Sequence, residues 1–317
     1  MKMLSDHQKV VLIGDGAVGS AFAYAMVNQG LSEELVIINH TESKAIGDAM
    51  DLEDAIPNLS PLRIDAGDYS ACKDADIVVL CAGAPQKDGE TRLQLVTKNI
   101  KIVTDITKKV VETGFNGIFI VAANPVDVMA YAVLKQSGFP SEQVISSGTS
   151  LDTARLKVAL AKRFNVDPQD INVNILGEHG DSEFAAYSSA NISGIPLLSL
   201  ISQKGINLQE LFDIENQVRN KAYRIISKKG ATYYGVATAI ARIAKAILRD
   251  ESAVLTVGCC LEGAYGYNDI YIGTPAVIGA GGIESIIELP LNVLEKNEME
   301  TSVTTLKKVI SDALLGI

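Results

Sequence analysis

Cysteine is scarce in this chain: Cys72, Cys81, Cys259 and Cys260 are the four in 317 residues. None belongs to a Cys-x-x-Cys pair, and no histidine stands at a metal-ligand spacing from them. No metal is therefore expected, and the thiols read as reduced and mostly buried, as in a cytosolic protein. Long apolar runs are missing too. The first, Val10 to Ile13, is too short for a signal-peptide core or a membrane span, so a cytoplasmic location is expected. Positive charge is also in deficit, with 28 Lys and Arg against 38 Asp and Glu and a formal net charge of -10. Such a surface repels nucleic-acid phosphates and anionic lipids, which argues against either as a partner. Finally, there is no low-complexity linker and no repeat of fixed period, so a solenoid is excluded.

What remains is an ordinary globular balance, 47% hydrophobic and 21% charged, with length enough for two domains. Short apolar runs alternate with helical stretches through the first half: Val10 to Ile13, Leu35 to Ile38, Ile77 to Leu80, Ile118 to Ala122 and Val144-Ile145. Continuous apolar strands separated by helices predict a parallel sheet covered on both faces. A helix is expected over Ser20 to Gln29, stopped by Gly30, and a long one over Glu90 to Thr113 after a loop at Gly83 to Gly89. The second half changes character. A helix over Leu151 to Phe164 is followed by strand-like segments at Ile171 to Leu176 and Phe184 to Asn191. Next come one long helical stretch from Leu208 to Arg249, β-rich runs at Ala253 to Leu261 and Asp269 to Ile278, and a last helix from Asn292 to Leu315. The fold class is thus α/β, with a doubly wound parallel-sheet domain over 1–148 and an α+β domain over 149–317.

Gly14-Asp15-Gly16-Ala17-Val18-Gly19 is G-x-G-x-x-G, placed after an apolar run and opening a helix. In that context it is the fingerprint of a dinucleotide-binding turn. Its glycines allow a tight turn, close approach to a pyrophosphate and helix-on-strand packing, while the helix N-terminus offers free N–H groups to phosphate. The fingerprint calls for an acidic residue at the end of the second strand to bond the ribose hydroxyls. That position holds Asn39. An amide still bonds a hydroxyl, at about 0.5–1.5 kcal/mol against about 1.5–3 kcal/mol for a charged partner. It gives no repulsion to a 2′-phosphate, which His40 and Lys44 would help to hold. NADH therefore remains the expected cofactor, with some tolerance of NADPH.

The three histidines are His7, His40 and His179. His179 lies in Gly177-Glu178-His179-Gly180-Asp181, a turn after an apolar strand, and on that pattern alone a structural role is the commoner reading. Its neighbours elsewhere change this. Besides the glycine turn and residues 177–181, the chain carries Gly83-Ala84-Pro85-Gln86-Lys87, Gly89-Glu90-Thr91-Arg92 and Ala123-Asn124-Pro125-Val126-Asp127. It also carries Gly148-Thr149-Ser150-Leu151-Asp152-Thr153-Ala154-Arg155 and Gly230-Ala231-Thr232-Tyr233-Tyr234-Gly235. Through these motifs the whole chain resembles the lactate/malate dehydrogenase family, its bacterial L-lactate branch in particular.

The resemblance implies a Rossmann domain and reversible hydride transfer from NADH to pyruvate, giving L-lactate. It makes His179 the proton donor and acceptor, with Asp152 orienting the ring and stabilising the imidazolium. Arg155, three residues along the same helix face, becomes the bidentate clamp on the substrate carboxylate. Arg92 closes over the substrate and polarises the ketone, Asn124 bonds the substrate oxygen, and Thr232 lines the pocket. Cofactor contacts are implied at Gly14, Gly16, Ala17, Val18, Gly19, Asn39, Lys44, Tyr69, Gly83, Ala84, Asp105, Ala122, Asn124 and Ser147. Malate enzymes of the family place an arginine where this chain has Gln86, so a dicarboxylate would bring an unpaired charge into the pocket. Pyruvate is favoured on that ground. A malate or branched-chain 2-hydroxyacid dehydrogenase and a non-catalytic dinucleotide-binding or structural protein are the alternatives, the last opposed by the joint presence of His179, Asp152, Arg155, Arg92 and Asn124.

Departures from the family pattern are Asn39 and Asp88, the latter where many relatives have proline. The arginine and histidine that bind fructose 1,6-bisphosphate between subunits of activated relatives correspond to Lys157 and Asn172. Weak or absent activation is expected, as is the homotetramer usual in the family.

Overall fold

The structure is a computed structural model. It describes residues 7–84 and 92–314, the side chains of residues 92 and 314 excepted. Five apolar segments form fully buried strands, β1 (Lys9–Ile13), β2 (Glu34–Ile38), β4 (Ile77–Leu80), β5 (Ile118–Val121) and β6 (Val144–Ser146). A sixth, β3 (Arg63–Ala66), is partly exposed. All six pair in parallel, in the order β3-β2-β1-β4-β5-β6. The strands hide both faces, so their alternate residues feed two separate cores. Val11, Ile13, Val36, Ile38, Val78 and Leu80 point into one, while Val10, Leu12, Leu35, Ile37, Ile77 and Val79 point into the other.

Helices α1 (Ala17–Gln29) and α2 (Glu42–Glu53) cover the second core, and α3 (Arg92–Glu112) and α4 (Val126–Ser137) the first. The long helix anticipated from Glu90 thus appears as α3, and the helix anticipated from Ser20 begins three residues earlier, at the glycine turn.

After β6 the chain enters α5 (Ser150–Phe164) and then four two-residue strands: β7 (Ile171–Asn172), β8 (Ile175–Leu176), β9 (Phe184–Ala185) and β10 (Asn191–Ile192). The strand-like run 171–176 divides because β7 pairs with β10 whereas β8 pairs with β9. β11 (Ile195–Pro196) and α6 (Leu197–Gln203) follow. The helical stretch expected from Leu208 to Arg249 is three helices: α7 (Leu208–Arg219), α8 (Lys221–Lys229) and α9 (Tyr234–Leu248). It divides first at Asn220, whose backbone N–H and side-chain amide both bond the Asn216 carbonyl, at 3.0 and 2.8 Å, and again at Gly230, at φ 83°. Helices α5, α6 and α7 enclose a third core around Leu156, Leu160, Leu197 and Leu211.

The last strands, β12 (Ala253–Glu262), β13 (Asn268–Gly279) and β14 (Gly282–Ile286), form an antiparallel meander. The sequence assigns them to a second domain, yet Gly258 of β12 pairs with Ser146 of β6, and all nine strands make one sheet. The contact requires glycine: a Cβ at Gly258 would sit 2.5 Å from that of Ser146. α9 joins the second core and the closing helix α10 (Val293–Leu314) the first. The fold is therefore a Rossmann sheet extended by the C-terminal α/β segment. Among the described residues, no helix is long and apolar enough to cross a membrane.

Candidate active site

The order of the six parallel strands reverses between β1 and β4, and ligands of such sheets bind at the carboxyl ends beside that point. The glycine turn leaves β1 there. Gly14 has φ 96°, and a Cβ on it would lie 2.6 Å from the Ala82 nitrogen beyond β4. A Cβ on Gly19 would collide with the Gly14 carbonyl, so this glycine lets α1 pack on its own turn. Gly16 differs: its Cβ would meet no protein atom within 4 Å. It caps α1, whose first turn has neither a side-chain cap nor an acid, leaving the N–H groups open to an anion. Gly16, Ala17 and Val18 thus border open space of the kind a pyrophosphate needs.

Asn39, at the end of β2, turns its amide to the buried carboxylate of Asp15, and Lys44 bonds the Asp15 carbonyl. Lys44 Nζ also stands 3.5 Å from Asp15 Oδ1. Burial raises the pKa of Asp15 despite Lys44. Its second oxygen, Oδ2, is buried without a hydrogen-bond partner. An acceptor is thus present beside position 39 after all, on a residue the sequence reading passed over, and its orphaned oxygen suits a hydroxyl donor. His40 is exposed beyond it.

Across the cleft, Asn99 of α3 is 3% exposed and ties the walls together. Its Oδ1 accepts the Ala84 N–H at 2.8 Å, and its Nδ2 donates to the Asn124 carbonyl at 3.1 Å. Gly83 and Ala84 after β4 are thereby fixed against Asn124 after β5. Ala122, Asn124, Ser147, Gly148, Leu151 and His179 line a small cavity of about 20 Å³ with Val236 and Ala239 of α9. Tyr69 is half-buried farther out, with Lys109 Nζ 5.2 Å above its ring. Asp105 lies elsewhere, exposed on α3 in a groove shared with Tyr131 and Lys135 of α4. Thr232 is half-buried in the turn between α8 and α9. Gln86 and the side chain of Arg92 lie outside the described residues.

His179 Nδ1 is 2.6 Å from Asp152 Oδ2, and Arg155 Nη1 donates to Asp152 Oδ1 at 3.0 Å. Asp152 and Arg155 occupy one face of the first turns of α5, with Asp152 1% and Arg155 7% exposed. The ring belongs to a turn pinned from three directions. Gly177 exchanges backbone hydrogen bonds with Gly273 of β13 at 3.1 and 2.8 Å. Glu178 N–H donates to Ser302 Oγ of α10 at 2.6 Å. His179 N–H donates to Asp127 Oδ2 of α4 at 2.9 Å, and Ser146 Oγ donates to Asp127 Oδ1 at 3.0 Å.

Burial works against charge at each of these groups, and the neighbours decide which keeps it. At His179 burial is outweighed, chiefly by the Asp152 carboxylate, and the pKa rises to about 9. Asp152 is likewise buried, but His179 and Arg155 hold its pKa below the usual carboxylate value. Asp127 has weaker compensation from the His179 turn, and burial lifts it to about 6. Glu183 completes the cluster: its carboxyl, the Asp152 carboxylate and the His179 ring place their polar atoms within 4.8 Å of one another. Burial, followed by the charge of Asp152, pushes Glu183 to about 9, so it stands as a neutral acid beside an anion at neutral pH. Although three such groups resemble a cation site, the Arg155 guanidinium already occupies the anionic side of Asp152. The four cysteines are free; three are buried and Cys81 half-buried, with burial raising every thiol pKa.

Asp15, Asn99, Asp127 and Glu183 are the residues sequence reasoning did not single out. Asp127 stood within the Asn124–Asp127 motif, and Glu183 just past the histidine turn. Only the folded contacts distinguish either from a solvated acid.

A dinucleotide cradle facing a histidine–carboxylate pair and a buried arginine defines a nicotinamide-dependent dehydrogenase. The chain belongs to the lactate/malate dehydrogenase family: residues 8–146 match its NAD binding domain and residues 149–315 its alpha/beta C-terminal domain. An L-lactate dehydrogenase of Pediococcus acidilactici is 60% identical over 314 residues, covering 99% of this chain and 97% of that one. Among solved structures, a lactate dehydrogenase from a Medee basin deep-sea metagenome superposes with a TM-score of 0.95 at 44% identity, over 97% of this chain and 99% of that chain. The ligands-bound minor L-lactate dehydrogenase of Enterococcus mundtii gives 0.95 at 42% identity, over 97% and 98%.

Proposed function

We propose that this chain is an NAD-dependent L-lactate dehydrogenase, interconverting pyruvate and L-lactate. The observation that carries the reading is the joined set of His179, Asp152 and Arg155, linked at 2.6 and 3.0 Å. NADH supplies the hydride. Gly14, Gly16, Ala17, Val18 and Gly19 hold its pyrophosphate, with Asn39, Lys44 and the Asp15 carboxylate beside the ribose. Tyr69, Gly83, Ala84, Asp105, Ala122, Asn124 and Ser147 remain proposed cofactor contacts, of which Tyr69 and Asp105 have least support from their positions. Arg155 receives the pyruvate carboxylate. Because Nδ1 of His179 is engaged by Asp152, Nε2 is the nitrogen left to give its proton to the ketone oxygen. In lactate oxidation the same nitrogen takes the proton back. Arg92 and Asn124 stabilise the developing oxyanion, Thr232 borders the pocket, and neutral Gln86 disfavours a second carboxylate.

Residues 1–148 form the cofactor half and 149–317 the substrate half in this reading, with the enzyme a cytoplasmic homotetramer. Exposed Tyr24 and Met50, 57% and 63% accessible on α1 and α2, support self-association. Fructose 1,6-bisphosphate activation is weak or absent, since Lys157 is half-buried and Asn172 spends its amide on Asn191 at 3.1 Å. A bisphosphate titration that sharply lowered the pyruvate half-saturation point would refute that regulatory reading. The activity itself is tested by following NADH consumption with pyruvate and resolving the product on a chiral column. L-lactate is expected; D-lactate or no turnover would overturn the assignment.

A further inference from the structure

On α5, beyond Arg155, a second feature departs from the acidic character of the chain. A cleft of about 590 Å³ separates α5 from α7 and α8. Arg155, Lys162, Arg163, Lys221, Arg224 and Lys228 line it, and no acidic side chain does. Arg155 bonds Asp152 and Arg163 bonds Glu210, but Lys162, Lys221, Arg224 and Lys228 form no ion pair among the described residues. A net charge of -10 leaves ample carboxylates to neutralise them, yet none reaches the cleft.

Helix electrostatics explains only part of this grouping. Lys162 and Arg163 lie in the last turn of α5, where cations are favoured. Lys221 and Arg224 occupy the first turn of α8, where the helix dipole disfavours them. Lys221, Arg224 and Lys228 also recur at three- and four-residue spacing, so they share one face of α8, the face on the cleft. Lys221 is half-buried, and burial, then the charges of Arg155, Lys162 and Arg224, lower its pKa. The cations thus repel one another across a confined space, a cost that a bound anion would relieve.

We propose that this cleft is a binding site for an anion carrying two or more phosphoryl groups, separate from the dinucleotide cradle. The charge count and spread exceed what one monocarboxylate needs, and the volume admits a compact polyphosphate or a sugar bisphosphate. Its coupling to catalysis rests on the reading of Arg155 as the pyruvate clamp. An occupant that draws on Arg155 competes for the guanidinium and raises the KM for pyruvate while leaving kcat unchanged.

The test is calorimetric titration of the full chain with inorganic pyrophosphate at saturating NADH, which keeps the probe out of the cradle. Saturable binding is expected, weakening about tenfold or more in the triple variant Lys162→Gln, Lys221→Gln, Arg224→Gln. Lys228→Gln alone, at the C-terminal end of the α8 face on the cleft, supplies a milder loss should the triple variant not fold. Fructose 1,6-bisphosphate in a parallel titration identifies the source: tighter binding than pyrophosphate supports an organic bisphosphate, and equal binding supports recognition of the phosphoryl groups alone. Absence of saturable binding, or equal affinity in wild type and triple variant, would overturn the site. Because binding is read without turnover, a failed dehydrogenase assay would leave this result independent.

Discussion

At the scale of single residues, the proposed role of His179 as proton donor and acceptor makes its protonation state the determinant of the pH dependence. A pKa of about 9 keeps the imidazolium through neutral pH, ready to donate during pyruvate reduction. The kcat/KM for pyruvate is therefore expected to be flat near neutrality and to fall as pH rises through about 9, with lactate oxidation rising over the same range. Asp152→Asn removes the main charge that sustains this, leaving burial to lower the pKa. The limb should then move down to the ordinary imidazole value of 6.5 or below. An unmoved limb in a pH–rate series would contradict the assigned pairing. The same shift has a linkage consequence: its stabilising contribution is complete below 6.5 and disappears as pH rises through about 9. Of this cluster, His179, Asp152 and Arg155 were legible in the sequence only through several motifs taken together. Asp127 and Glu183 were not, because the contacts of Asp127 with His179 and of Glu183 with Asp152 span 52 and 31 residues of chain, and composition carries no trace of a contact at that separation.

At the scale of elements, the glycine turn separates folding from binding. Gly19 is needed for α1 to seat on Gly14, whereas Gly16 faces open space. Gly19→Ala should destabilise the fold by about 3 kcal/mol, seen as a lowered Tm. Gly16→Ala should keep its Tm while weakening NADH binding, measured by quenching of NADH fluorescence or by calorimetry. Similar Tm losses in both, or unchanged NADH affinity in Gly16→Ala, would show that the cradle is misassigned. This turn was legible because its spacing, its preceding strand and its following helix are all local. The broken helix from 208 to 249 was not. Its apolar periodicity continues through Asn220, where the side-chain amide joins the backbone N–H on the Asn216 carbonyl. Asn39 shows a similar limit: the missing acid at the second strand was visible, but not that Asp15, buried beside it, supplies a carboxylate. That carboxylate restores part of the repulsion to a 2′-phosphate, partly offset by Lys44, and strengthens the case for NADH over NADPH.

At the scale of the whole molecule, a single sheet joins the NAD-binding segment and the C-terminal α/β segment. The antiparallel meander β12–β14 docks on β6 through Gly258, and α9 and α10 complete the cores begun by the first half. The histidine turn consequently draws support from α4, α10 and β13 together. The change in pattern near 148 suggests a boundary there, but the shared sheet was not legible: β-rich runs reveal strands, and only pairing reveals which sheet they join. The central claim is that this architecture selects a 2-keto acid with one carboxylate, held by Arg155 and protonated by His179. The most direct test is steady-state kcat/KM for pyruvate and oxaloacetate, each with NADH, on the same preparation. Strong preference for pyruvate is predicted; a preference for oxaloacetate would contradict the account.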